Sequence, residues 1–244
     1  MNRWFTLLGS AIFLSLLLVN PAAAQDAADE CSAPPGIAPA IYFVGQGDAH
    51  AASAQHARAI VDYTCALADD PNYAPAYARR AVSQSALGDA DAALADYDAA
   101  LTIDETLVEV YINRGMFYAQ AGNFGLALAD LSLALSLEPG NAIALNNRAV
   151  VHAIEGNYDL ALADLEAATT QHPDNPLSYA TLGSIYSALA VQNYQRYLEV
   201  SGSDEAPLPA GTPTQMLSAI DNGLRTGNYS VWLGLMRPAD WGTP

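Results

Sequence analysis

A block of thirty-four residues occurs three times in succession, over residues 74–107, 108–141 and 142–175. When each block is numbered from 1, position 8 is always Ala or Gly, position 15 is always Gly, and positions 20 and 27 are always Ala. An alanine-rich helical chain would not keep these positions in register through three copies by chance. A period of this length is typical of structural repeats that stack on one another.

Each repeat contains two apolar stripes with helical spacing. Positions 4, 7, 8 and 11 share one face of a first helix, and positions 17, 20, 24 and 27 share one face of a second. Glycine at position 15 ends the first helix, and Asp or Asn at position 16 is expected to cap the next one. Small residues at positions 8, 20 and 27 allow the two helices to approach closely. The chain is therefore predicted to be all-α.

This pattern resembles the tetratricopeptide repeat, a helix–turn–helix unit of the same length. The resemblance extends over about residues 40–201 and is specific at residues 74–175. Position 4 holds Tyr or Leu where the family signature has Trp, and position 7 holds Arg where it has Leu. The resemblance implies tetratricopeptide-type repeats stacked into a right-handed superhelix. It also implies a protein-interaction function, with a partner segment held on the concave surface.

Less regular segments flank the three repeats. Residues 41–73 are interpreted as a degenerate half repeat, because Gly45 and Gly47 disfavour its first helix. Residues 176–201 begin a degenerate fourth repeat that lacks the glycine of position 15. Its later residues, of which Ala190 is the first, match positions 20, 24 and 27 if about five residues of turn are deleted. Either a tight turn or one long helix results, and the long helix is favoured.

The two ends of the chain have their own signals. Residues 4–19 are apolar, and an A-x-A site ending at Ala24 follows, so residues 1–24 are predicted to be a cleavable signal peptide. This predicts a periplasmic or secreted protein. An uncleaved anchor is the alternative, although sixteen apolar residues are short of the ~20 that span a membrane. Residues 25–40 are predicted to be a disordered arm, and residues 202–244 a linker with a C-terminal cap. The alternative for that last segment is a docking peptide or a membrane-touching tail.

Charge and residue types exclude several classes of function. The net charge of −17 disfavours nucleic acid and anionic membrane surfaces as partners. The chain contains no lysine, so Walker-type phosphate loops, pyridoxal Schiff bases and Ser–Lys dyads are excluded. The four histidines lack the spacing of zinc ligands. We therefore predict no catalytic residue, no metal and no cofactor. An enzyme subunit that uses carboxylates in the groove is the rival hypothesis.

Cys31 and Cys65 are the only cysteines, and export would expose them to an oxidising compartment. A disulfide between them would fix the N-terminal arm over the first repeat. Two free thiols are the alternative.

The arginines at position 7 are predicted to pair with the aspartates at position 23. Two assignments are open. Within one repeat, the pairs are Arg80–Asp96, Arg114–Asp130 and Arg148–Asp164. Between neighbouring repeats, they are Arg80–Asp62, Arg114–Asp96 and Arg148–Asp130.

In the family that the pattern resembles, first-helix positions 2, 5, 6, 9, 12 and 13 line the concave groove. The predicted partner-binding residues at these positions are Arg79, Ile112, Asn113, Met116, Gln120, Ile143, Asn146, Asn147, Val150 and Ile154. This lining is apolar with inserted amides, so an extended, neutral or basic protein segment is the predicted partner. The alternatives are that the asparagines of position 6 are merely solvated, or that the convex face or the tail binds the partner. A third possibility is a structural component, tethered by an uncleaved first helix, that binds through its tail.

Overall fold

The computed structural model describes residues 31–202, and within them the chain is α-helical without strands. The helices are α1 (Pro39–Ala52), α2 (His56–Asp69), α3 (Ala74–Leu87), α4 (Ala90–Ile103), α5 (Val108–Gln120), α6 (Phe124–Leu137), α7 (Ala142–Ile154), α8 (Tyr158–Gln171) and α9 (Pro176–Ser201). Helices α1 to α8 pack as consecutive pairs. The predicted all-α fold of helix–turn–helix repeats is confirmed.

Helix boundaries follow the thirty-four-residue period closely. Helices α3, α5 and α7 each begin at repeat position 1, and α4, α6 and α8 each begin at position 17. The alanines of positions 20 and 27 have no exposed surface, because the paired helices are in close contact there. Tyr97, Leu131 and Leu165, all at position 24, fill the core between them. The small and large positions therefore form the interior that the sequence predicts.

The turns inside the repeats depend on glycine more than on capping side chains. Gly88, Gly122 and Gly156 have φ values of 83°, 77° and 79°, the left-handed region in which glycine carries no Cβ strain. Asp89 caps α4 by accepting a hydrogen bond from the backbone N–H of Ala92. The asparagines that begin α6 and α8 make no such bond. The prediction that the side chain at position 16 caps the second helix of each repeat is wrong for those two repeats.

Residues 40–73 form a complete helix pair, which corrects the prediction of a poor first helix there. Gly47 occupies repeat position 8, where a Cβ atom would collide with the ring of Tyr63. The lack of a side chain at this position lets α1 and α2 approach each other. Close packing therefore outweighs the low helix propensity of glycine. Part of the predicted arm is also ordered, since Pro39 and Ala40 belong to α1.

The degenerate fourth repeat is one continuous helix, α9, as favoured from the sequence. Within residues 31–202, no helix combines the length and apolar character needed to cross a membrane. The predicted signal peptide, the start of the predicted arm and the predicted C-terminal cap lie outside the described residues.

Arginine–aspartate pairs join the two helices of each repeat, so the structure selects the within-repeat assignment. Arg114 donates from Nε and Nη2 to the two carboxylate oxygens of Asp130, at 2.8 and 2.9 Å. Arg80 and Arg148 make the same bidentate pairs at N–O distances of 2.6–2.8 Å. The hydrogen bonds to Asp130 raise the pKa of Arg114. The second assignment, between neighbouring repeats, is wrong.

Each of these arginines nevertheless contacts the preceding repeat through Nη1. The acceptors all lie at repeat position 25 of that preceding repeat. They are Thr64 at 3.0 Å from Arg80, Asp98 at 2.6 Å from Arg114 and Ser132 at 3.3 Å from Arg148. One guanidinium therefore joins three helices, because its planar fork offers donors in more than one direction.

A disulfide joins Cys31 to Cys65 of α2, with 5.2 Å between their Cα atoms. This is the pairing predicted from the sequence. It fixes the segment before α1 against the first helix pair, where Cys31 and Ala33 pack on the apolar cluster that contains Phe43 and Tyr63.

The contacts between neighbouring repeats indicate which side of the stack is the inner one. The first helices of neighbouring repeats, such as α5 and α7, contact one another, whereas the second helices of neighbouring repeats approach less closely over residues 31–202. The first helices therefore lie on the inner, concave side. We call this side the first-helix face; it comprises repeat positions 2, 5, 6, 9, 12 and 13 of the first helices.

Candidate binding surface on the first-helix face

The predicted partner-binding residues all lie on first helices, distributed over α3, α5 and α7. Asn113 and Asn147 occupy equivalent places one repeat apart, since both stand at repeat position 6. Met116 of α5 and Val150 of α7 are related in the same way at position 9. The thirty-four-residue period thus presents the same kinds of side chain at regular intervals along one face.

Half of these residues are completely enclosed. Ile112, Asn113, Asn146, Asn147 and Val150 have no exposed surface. The alternative that the asparagines of position 6 are solvated is therefore wrong. Burial of an amide is costly without hydrogen bonds, and Asn113, Asn146 and Asn147 all have interaction partners. In the arrangement that the structure describes, none of the five offers surface to a partner, and Ile112 and Val150 belong to the apolar clusters between the helices.

One of these amides links neighbouring repeats. Thr181 of α9 donates a hydrogen bond from Oγ1 to Oδ1 of Asn146 of α7, at 2.7 Å in a buried environment. Thr181 stands at repeat position 6 of the degenerate fourth repeat. The polar residues of positions 5 and 6 can therefore bond to each other along the stack, a role that sequence inspection missed.

Three predicted residues of the same face remain accessible. Met116 and Ile143 are half-buried and rest against the apolar core, while Gln120 at the end of α5 is exposed. These side chains offer apolar surface and one amide to an external molecule. They are the part of the first-helix face that a partner can touch first.

The cationic end of this face is neutralised within the chain. Arg79 of α3 donates from Nη1 to Oδ2 of Asp48 on α1, at 2.7 Å. Tyr63 donates from its hydroxyl to the other oxygen of Asp48, at 2.8 Å. Burial, together with the bond to Asp48, raises the pKa of Tyr63. Arg79 is therefore committed to Asp48, which does not favour a partner that is recognised by its terminal carboxylate.

Two histidines lie near the repeats' ion pairs. His50, at repeat position 11, contacts Asp62 at position 23 with 2.5 Å between Nδ1 and Oδ2. Sequence analysis did not predict this pair, although the positions of both residues in the repeat could have indicated it. His152 is half-buried at position 11, and desolvation lowers its pKa.

Over residues 31–202, no three His, Cys, Asp or Glu side chains are grouped to hold a metal ion.

Comparisons with known proteins agree with the repeat architecture. Two family models, both described as tetratricopeptide repeat, match the sequence at residues 74–107 and 113–176. No curated protein matches the chain.

Solved structures share the fold at low sequence identity. PilF of Pseudomonas aeruginosa has a TM-score of 0.58 at 19% identity, over 80% of this chain and 89% of its own. A tetratricopeptide repeat protein from Parabacteroides merdae has a TM-score of 0.56 at 19% identity, over 88% and 80%. The APC/C hetero-tetramer Cut9–Hcn1 has a TM-score of 0.60 at 20% identity, over 87% of this chain and 41% of the other. Identities this low establish a likeness of fold alone.

Proposed function

Because the chain is a tetratricopeptide repeat protein, we propose that it is an exported, non-enzymatic interaction scaffold. Its first-helix face binds an extended segment of another protein. The observation that carries this proposal is the row of equivalent apolar and amide side chains on consecutive first helices. The signal-peptide pattern of residues 1–24 supports export, and a disulfide is compatible with an oxidising compartment.

The accessible side chains suggest how binding begins. Met116 and Ile143 lie on neighbouring first helices and receive apolar side chains of the partner, while Gln120 pairs with its backbone. Asn113 and Asn147 then contact the same segment at two points, once their own cover has been displaced. The apparent affinity is then the intrinsic affinity multiplied by the fraction of time for which the face is open.

The partner's chemistry follows from charge. The net charge of −17 steers neutral or basic segments towards the protein and repels acidic ones. The pairing of Arg79 with Asp48 removes the positive charge that an acidic terminus would need. A neutral or basic segment with alternating apolar side chains therefore fits best.

Capture from the envelope fraction of the host tests this proposal. The double variant Met116→Gln/Ile143→Gln removes two apolar contacts and should weaken partner capture about tenfold. Leu126→Gln/Leu133→Gln is the matched control, because those leucines of α6 are 53% and 47% exposed and lie on a second helix. Capture should be unchanged by that control.

Two results would contradict the proposal. Loss of capture with the α6 control alone would move binding to the convex side. Unaltered capture by both variants, with capture lost on deleting residues 212–244, would move it to the tail. The melting temperature of each variant is measured alongside, so that loss of fold is not mistaken for loss of binding.

A further inference from the structure

Helix α9 presents a face that every complete repeat buries. In those repeats, positions 4, 7, 8 and 11 of the first helix pack against the second helix of the same repeat. Helix α9 carries the corresponding Tyr179, Leu182, Gly183 and Tyr186, but it continues straight to Ser201 without a turn. Tyr179 and Tyr186 are consequently 51% and 58% exposed.

The glycine of position 8 shows the same difference. A Cβ atom on Gly115 would lie 3.0 Å from Cγ of Leu131, because α6 packs there. A Cβ atom on Gly183 would meet no atom within 4 Å. The first-helix residues of the last repeat are therefore in place, and no second helix covers them within residues 31–202.

The later part of the same helix carries the second-helix residue types. Residues 190, 194 and 197 are Ala, Tyr and Tyr, which match repeat positions 20, 24 and 27. With 3.6 residues per turn, positions 179, 183, 186, 190, 194 and 197 fall along one side of α9. We call this row the α9 stripe. The α9 stripe thus contains the residue types with which a first helix and a second helix contact each other, one set after the other along a single helix.

We propose that α9 of a second copy of this chain covers the α9 stripe in antiparallel orientation. Each copy then supplies the second helix that the last repeat of the other lacks. In this register, residue 183 of one copy lies level with residue 194 of the second copy, as position 8 lies level with position 24 within a repeat. A two-fold axis makes the contact reciprocal.

Charge supports a second copy as the occupant, and the contact area limits how tightly it binds. Arg196 and Glu199 are the only charged residues of α9, and they pair with each other at 3.0 Å. This helix is therefore neutral in a chain of net charge −17, so two copies meet here with little repulsion. A helix of 26 residues is ~39 Å long and ~10 Å wide, which gives a contact of roughly 400 Å² per copy. Stable complexes bury about 800 Å² per partner, so a reversible dimer is expected.

Sedimentation of the full mature chain over a wide concentration range tests the dimer. A reversible monomer–dimer equilibrium with a micromolar dissociation constant is expected. Gly183→Glu places a charge in the centre of the α9 stripe and should weaken dimerisation at least about tenfold. Gln192→Glu adds the same charge on the opposite, exposed side of α9, and should leave the dissociation constant unchanged. A chain that stays monomeric throughout overturns the proposal and assigns the stripe to residues 203–244 or to a different protein.

Disulfide trapping tests the antiparallel register. Positions 183 and 194 lie ~16 Å apart along one helix, too far for a bond within a copy. The double variant Gly183→Cys/Tyr194→Cys should therefore form a covalent dimer under mild oxidation, and neither single variant should. Equal cross-linking by a single variant would indicate a parallel or unspecific contact. Absence of a covalent dimer in the double variant would also refute the arrangement.

Discussion

Arg114 offers a direct comparison of two ion pairs that share one guanidinium. Its Nε and Nη2 bind Asp130 within the repeat, and its Nη1 binds Asp98 of the preceding repeat at 2.6 Å. The side chains of Arg114 and Asp130 are only 16% and 6% exposed, whereas that of Asp98 is 67% exposed. The shorter contact is therefore the more solvated one, and distance and burial predict opposite rankings of strength.

We expect burial, and not distance, to determine which of the two ion pairs is stronger. Asp130→Asn leaves Nε and Nη2 of the largely enclosed Arg114 without their carboxylate partner, which should lower the free energy of unfolding by ~3–5 kcal/mol. Asp98→Asn removes a partner that water can replace and should cost only ~0–1 kcal/mol. The coupling free energy should be about 2 kcal/mol for Arg114 with Asp130, because two charge-assisted hydrogen bonds are lost. For Arg114 with Asp98 it should stay below ~1 kcal/mol.

Two double-mutant cycles by denaturant unfolding measure these coupling energies. They combine Arg114→Gln with Asp130→Asn in one case and with Asp98→Asn in the other. The contacts of Arg114 with the rings of Tyr111 and Tyr118 cancel, because they are lost in both Arg114 variants of each cycle. Equal coupling in the two cycles, or a larger value for Asp98, would refute the reasoning from burial.

Three further predictions concern single features of the fold. Gly47→Ala should lower the free energy of unfolding by ~1–3 kcal/mol in denaturant titrations, because its Cβ meets a packed ring. Gly45→Ala on the same helix has open space and should raise it by ~0.5–1 kcal/mol; equal effects would contradict this. Reduction of the Cys31–Cys65 bond, whose ends are 34 positions apart, should cost roughly 3–4 kcal/mol in a thermal melt, and an unchanged melt would contradict this. Burial lowers the pKa of His152 below its ordinary 6.5, so the unfolded chain takes up the proton first. The stability should therefore fall as the pH drops through 6.5, and H152Y should show a smaller fall; an identical pH dependence would refute this.

The period of the sequence was sufficient to predict the helices, since small residues at fixed intervals state where two helices touch. It could not choose between the two sets of Arg–Asp pairs. Each arginine is preceded by the position-23 aspartate of the previous repeat and followed by that of its own repeat, at regular intervals. The side-by-side packing of two helices in one repeat decides it, with Asp130 facing Arg114. In the first repeat, propensity was misleading, because Gly47 is required by the ring that packs on it.

The sequence was sufficient to predict which residues lie on the first-helix face, but not which of them are accessible. Repeat numbering identifies the residues that point to the inner side of the stack, but it does not say which of them the chain itself encloses. Asn113 and Met116 are three residues apart on α5, yet the first is fully buried and the second is half-buried. Such a difference depends on tertiary contacts from distant parts of the chain.

Site-specific photo-cross-linking most directly tests the central claim that partners bind on the first-helix face. A photoreactive residue is placed at Met116 or Ile143 in one set of proteins and at Leu126 of α6 in another. The captured partner should become covalently attached from Met116 and Ile143, and not from Leu126. Attachment from Leu126 alone would contradict the account, because it would place the partner on the second helices.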